Sequence, residues 1–278
     1  MVKVFFAILL AFSISLGDEV KEVDLLTQKI QTLIEPQVYK QNSAYIDIIF
    51  SPKSDYYSGD RVDAVKIIQT LKDNGLLNLF FEKPSEVTLH FKTSGSPLFF
   101  VKIMGDTLNN IGYYRYVTEE SNLNSSEFTW TINLTSEYAT DPLILQQELS
   151  KSGCNIVNIY RNSPTDWTYV VDMRDGELNV ETLMDGMEVK LKRSLYAKWI
   201  NVSQVKKLLI TSSPRNSWYP YIALYDSSLH LLKVIKRDSK RSNISLKFKD
   251  NVHYVKISDI YTLKNIRDDL VLTPIGAR

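Results

Sequence analysis

VKIIQTLKDNGLLNLFFE (65–82) decides how this chain is read. Its first half carries a helical pattern and its second half is strand-like. Gly75 stands between them, where a helix closes with a left-handed residue that costs glycine no Cβ clash. The same order recurs in FVKIMGDTLNNIGYYRYVTE (100–119), LILQQELSKSGCNIVNIYR (143–161) and VETLMDGMEVKLKR (180–193), with Gly112, Gly153 and Gly186 in the corresponding place. Strand-like runs fit around these units: YIDIIF (45–50), VTLHFK (87–92), FTWTINL (128–134) and TYVVDM (168–173). Residues 44–120 therefore read β-α-β-β-α-β, and residues 127–193 read β-α-β-β-α-β again. Asp63, Gln69, Leu71, Gly75, Pro84 and Thr88 match Asp141, Gln147, Leu149, Gly153, Pro164 and Thr168 at offsets of 78 to 80. The polar stretch SNLNSS (121–126) reads as a linker. The order predicts two tandem ferredoxin-like modules.

Outward from the repeat, the pattern changes at both ends. After Arg193, short strand-like runs replace helices: KLLITSS (207–213), YIALYD (221–226), HLLKVIK (230–236), ISLKFK (244–249), HYVKISDI (253–260) and LVLTPI (270–275). Polar turns separate them, which predicts an antiparallel β-sandwich over 195–278 and an α+β chain overall. Asp226-Ser227-Ser228 is placed to close a hairpin on its own backbone. Upstream, Val20, Val23, Leu26, Ile30, Leu33 and Ile34 recur every three or four residues, an amphipathic helix within 18–43 that Pro36 ends.

WYPYIALYDSSLHLLKVI, a basic loop and ISLKFKDNVHYVKISD together resemble the accessory β-sandwich of the pre-peptidase C-terminal type found on secreted bacterial proteins. Tyr225-Asp226 and Tyr254-Val255-Lys256-Ile257 stand at that family's aromatic-Asp turn and its "Y-V-x-I" strand, while Asn251 replaces its usual Gly. The resemblance implies a binding or solubility module and transfers no catalytic residues.

The chain begins with Lys3 and an uncharged apolar run from Val4 to Leu16, followed by Ser15-x-Gly17. This is the layout of a secretory signal peptide, 1–17, and the run is too short to span a bilayer as a helix. The expected location is the periplasm, with no transmembrane segment in the mature chain. One cysteine, Cys154, excludes an internal disulfide and reads as a buried small side chain. The net charge of +1 conceals a division. Residues 18–186 hold 25 Asp and Glu against 14 Lys and Arg, and residues 187–278 hold 7 against 18, so one part carries −11 and the other +11. Such segregation suggests different partners, or mutual attraction between the two parts.

Catalytic signatures are absent. His90, His230 and His253 form no His-x-x-x-His or Cys-His arrangement, and there is no nucleophile elbow or phosphate loop. Asp55, Asp60 and Asp63 match no calcium loop, and helix capping explains Asp60 or Asp63. No cofactor or metal is expected. Tyr221 and Tyr225 read as core residues of the sandwich. Trp218 and Tyr219, next to Arg215, read as an exposed aromatic entrance suited to stacking on a sugar. Lys236, Arg237, Lys240 and Arg241 cluster in one turn, as a solvated tip or as a contact for an anionic surface. The leading expectation is a non-enzymatic scaffold or adaptor that docks through these cations onto an acidic envelope protein or the cell wall, not nucleic acid. Glycan binding by the aromatic face, and an enzyme with an unrecognised site, are the alternatives.

Overall fold

The computed structural model describes residues 24–278. The expected signal peptide, with Val20 and Val23, lies outside them. The described chain is α+β, with five α-helices and several sheets. No helix among the described residues is long and apolar enough to cross a membrane.

The chain opens with α1 (Leu25–Leu33), capped by Asp24, whose carboxylate accepts from the Thr27 N–H at 2.7 Å. Leu26, Ile30 and Leu33 bury the expected face. The segment ends ahead of Pro36 as expected, with Glu35 extended at ψ 140°. Pro36 itself opens the next helix, α2 (Pro36–Ile49), where a missing N–H is no loss in the first turn. The expected strand 45–50 is the end of that helix. Ile46 and Phe50 are buried while Tyr45, Asp47 and Ile48 are exposed, a helical and not an alternating division. A small hairpin, β1 (Tyr57–Ser58) and β2 (Arg61–Val62), leads into α3 (Ala64–Asp73), capped by Asp63.

The segments that follow share one five-stranded sheet. They are β3 (Phe80–Thr93), α4 (Pro97–Asn110), β4 (Val117–Leu123), β5 (Phe128–Tyr138), α5 (Pro142–Ser150), β6 (Asn155–Ser163) and β7 (Asp166–Asp172). The sheet order is β4-β5-β3-β7-β6; every pair is antiparallel except β3 with β7. The two expected modules are thus a single sheet. Three local readings account for the difference. Residues 80–82 and 87–92 belong to one long strand, with Pro84 at an irregularity between Phe80 and Ser85 where no ladder N–H is needed. SNLNSS is not a domain linker but the end of β4 and the hairpin turn after it, in which Asn124 Oδ1 accepts from the N–H groups of Ser126 (2.9 Å) and Glu127 (2.7 Å). Residues 180–184 form no helix. One face of the sheet supplies Val87, Leu89, Phe91, Phe128, Trp130, Ile132, Trp167 and Tyr169 to a core shared with the helices.

The second unit begins near Leu183. It contains β8 (Val189–Leu191), β9 (Lys198–Asn201), β10 (Val205–Ser212), β11 (Pro220–Tyr225), β12 (Leu231–Lys236), β13 (Asn243–Lys247), β14 (Tyr254–Asp259) and β15 (Leu270–Ala277). They form two antiparallel sheets, β13-β10-β15-β8 and β12-β11-β14-β9, around one apolar cluster that includes Leu208, Ile210, Ile222, Leu224, Val255 and Ile257. β8, expected to end the second module, pairs with β15 and so belongs here.

The two units meet through aromatic groups. Phe99 of α4 lies 6.3 Å from Tyr254, and Lys102 of α4 stands 5.5 Å over Trp199, which packs against Tyr225 of its own unit at 4.9 Å. The Ser96 hydroxyl donates to Ser228 O at 3.0 Å. Among the described residues, every ion pair stays within residues 24–186 or within 187–278. Among these residues the acidic and basic parts are therefore not neutralised against each other by direct pairing.

Candidate functional site: a basic groove between two sheet edges

β12 is the outer strand of one C-terminal sheet and β13 the outer strand of the other. They are consecutive in the chain, joined by residues 237–242, and between them runs a groove of about 630 Å³. Its formation starts at the β11–β12 turn. Asp226 Oδ1 accepts from the N–H groups of Ser228 (2.9 Å) and His230 (2.8 Å), and Oδ2 meets His230 Nδ1 at 2.9 Å. Leu229 takes φ +62° there and is buried against the first unit. The loop after β12 is pinned by its backbone: Arg237 N donates to Pro220 O and Arg241 N to Trp218 O, both at 3.0 Å.

Pinned backbones leave the cationic side chains pointing to solvent. Lys233, Lys236, Arg237 and Arg241 line the groove with Val234, Ile235, Asn243, Ile244, Ser245 and Leu246, and no carboxylate lines it. None of these four cations takes part in an ion pair among the described residues. Lys236 stands 5.2 Å over the Tyr221 ring. Four unpaired like charges around one groove produce a positive potential that a bound anion relieves.

Lys236, Arg237 and Arg241 were legible as a cluster, and the structure brings them together with Lys233, whose place on a strand edge no turn signal marks. Lys240 is exposed in the loop but does not line the groove. Arg215 does not join them: its Nε donates to Asp268 Oδ2 at 2.7 Å. The Ser213 hydroxyl, then Arg215, hold that carboxyl below its usual range. The aromatic entrance is corrected. Trp218 is fully buried, its indole N–H donating to Ser258 O at 2.9 Å. Tyr219 is half-buried, edge-on to Tyr261 at 5.1 Å. Ile222 and Leu224, not Tyr221 and Tyr225, enter the core of this strand pair, because alternation from buried Pro220 fixes the inward face.

Three other constellations bear on chemistry. His90 Nε2 lies 3.2 Å from Asp166, and its Nδ1 lies 2.9 Å from the Thr131 hydroxyl. Thr131 is only 2% exposed and sits mid-strand, with β4 and β3 paired on either side of β5. Thr131, His90 and Asp166 lie on neighbouring strands of one sheet, so the row is a cross-strand polar network. Lys29 of α1 is buried without a carboxylate; its Nζ donates to Asn158 Oδ1 (2.6 Å) and Ile159 O (2.5 Å), and burial lowers its pKa to about 8. It ties α1 to β6. Cys154 is buried as expected, and burial pushes its thiol up to about 11, which disfavours a nucleophilic thiolate. Asp63 accepts from Lys66 N at 3.0 Å, the capping role. No group of three or more His, Cys, Asp or Glu among the described residues is arranged to hold a metal ion.

Comparison with known proteins adds little. No family model matches the chain, and no curated protein does. Among solved structures, a secreted serine protease, VesC from Vibrio cholerae, overlaps 59% of this chain at 10% identity, with a TM-score of 0.18. The chain spans 40% of that structure's length. An overlap this slight carries no inference about fold or activity.

Proposed function

We propose that this is an exported, periplasmic, non-enzymatic binding protein, a scaffold or adaptor of an envelope assembly, whose basic groove captures an acidic protein surface. The observation that carries this reading is the groove itself: four cations, no lining carboxylate, and no ion pair that already satisfies them. The charge pattern of residues 1–17 supports export, and the resemblance of the C-terminal part to the pre-peptidase C-terminal type of sandwich supports an accessory binding role. The order β3-α4-β4-β5-α5-β6-β7 resembles one split β-α-β, ferredoxin-like unit with β7 inserted between β3 and β6, a platform that offers edges and helix faces for assembly. Burial of Trp218 takes the indole out of the aromatic face on which the glycan alternative depended and leaves half-buried Tyr219 there.

The test is affinity capture from an envelope fraction at low and high salt, using the wild-type chain and a variant with Lys233, Lys236, Arg237 and Arg241 all changed to Gln. Retention of one dominant acidic protein, lost both at high salt and in the variant, is the expected result. Retention that ignores salt and the four substitutions sinks the reading.

A further inference from the structure

We propose that a second copy of this chain is an occupant of the basic groove, and that it enters with its acidic edge strand β4, so that molecules join head to tail. The inference rests on the basic groove being a capture site and names what it captures.

β4 is the outer strand of the five-stranded sheet, and all seven of its residues are exposed. It carries Glu119 and Glu120 at an irregularity in its pairing with β5. Asn133 donates to Glu119 at 3.0 Å and Thr131 is the register partner of Glu120, so both carboxylates address the face opposite the helices. Val117 and Leu123 flank them, 70% and 64% exposed. At the other end of the molecule's chain, β12 presents Leu231 at 56% exposure and Leu232 at 38%, followed by Lys233 and Lys236. The two edges are similar in length, seven and six residues. Among the described residues each pairs with a strand on one side only, one edge having apolar ends around negative charge and the other an apolar start and positive charge.

Charge then selects the pairing. Lysines on a strand edge normally keep it from pairing with further strands. Against a second β12 they repel, and Glu119 with Glu120 repel a second β4. Only unlike edges attract, so the guard against like pairing becomes a selector for the unlike one. Among the described residues the acidic and basic parts form no ion pair, and Phe99 against Tyr254 and Lys102 over Trp199 make their junction, which leaves both edges outside it. A contact between different surfaces of identical molecules does not close as a two-fold dimer does; it propagates.

Sedimentation of the purified chain, alone, tests this at about 0.02 M and about 1 M salt, where the screening length falls from tens of ångströms to about 3 Å. Expected at low salt is a mass that climbs past the dimer with concentration and returns to the monomer at high salt. Two variants localise the contact: Glu119→Gln with Glu120→Gln, and the four-fold Gln variant of the groove. Each alone is expected to stay monomeric, and an equimolar mixture is expected to stop at the dimer, because only one good interface remains. A wild-type chain that stays monomeric at low salt overturns the head-to-tail assembly, while capture of a different acidic protein stands or falls by its own pull-down. Unchanged self-association of the Glu119→Gln, Glu120→Gln variant overturns it equally.

Discussion

Replacing Gly153 by Ala probes the packing behind α5, and Gly75→Ala supplies its reference. Both glycines follow a helix, with φ of +67° and +71°. Holding an L residue in that region costs about 1–2 kcal/mol. At Gly75 an added Cβ meets no atom within 4 Å, so the conformational cost is the whole cost. At Gly153 the Cβ falls 2.2 Å from the carbonyl oxygen of Asp175 and 3.1 Å from its carbon. These are backbone atoms and cannot rotate aside. The segment holding them is fastened at both ends, by Gly176 N to Met173 O and by Glu177 N to Ser152 O, each at 2.9 Å. Displacing it adds an overpacking cost of about 1–3 kcal/mol. Gly153→Ala should therefore lose about 2–5 kcal/mol and Gly75→Ala about 1–2 kcal/mol. Urea denaturation of both variants, followed by circular dichroism and tryptophan fluorescence, measures the pair. Losses that agree within about 0.5 kcal/mol would refute the reasoning, since that is near the error of the extrapolation.

Trp218→Ala should destabilise the chain by about 3–5 kcal/mol, as expected for a large buried ring, whereas an exposed indole would change the melting midpoint little. Asn216 is fully buried and its Oδ1 accepts from Arg267 N and Asp268 N, both at 2.7 Å; Asn216→Leu strands those donors and should cost about 2–4 kcal/mol in the same denaturation assay. Lys29 titrates near 8 in the fold against 10.5 ordinarily, so the unfolded chain holds the extra proton between those values. Stability from this group is lost as pH falls through about 8 and is complete above 10.5; unfolding measured across that window should show a rise with pH that Lys29→Met removes. Cys154 should react with a thiol reagent only on unfolding, and rapid labelling of the native chain counts against its burial.

What the sequence disclosed follows from how local the responsible physics is. Gly75, Gly112 and Gly153 were legible because helix closure is a property of a few neighbouring residues, and all three take positive φ. The strands β10 to β15 were legible because one buried face imposes alternation. YIDIIF was not, because a short apolar run reads equally as a buried strand or a helix turn, and only distant packing of Ile46 and Phe50 decides. The merging of two modules into one sheet depends on β3 meeting β7, which pairs Thr88 with Asp166 and Lys92 with Val170. No local pattern encodes a partner that far away. Trp218 was misplaced for the same reason, since the carbonyl that satisfies its indole belongs to Ser258. Of the groove, the turn cations announced themselves by clustering. Lys233 did not, because its importance comes from lying on an outer strand, a fact of sheet order.

The parallel contact of β3 with β7 also sets a timetable for folding. As the chain is made from its N-terminus, β3, β4 and β5 can assemble as soon as Tyr138 is available. The other flank of β3 has no partner until residues 166–172 follow, after α5 and β6. Until then the longest strand of the molecule, fourteen residues, exposes one side of its backbone in the middle of what will become a sheet. A chain interrupted before Asp166 keeps that side bare, a template for intermolecular pairing. The most aggregation-prone form of this molecule is accordingly a nearly complete first unit that lacks only its closing strand.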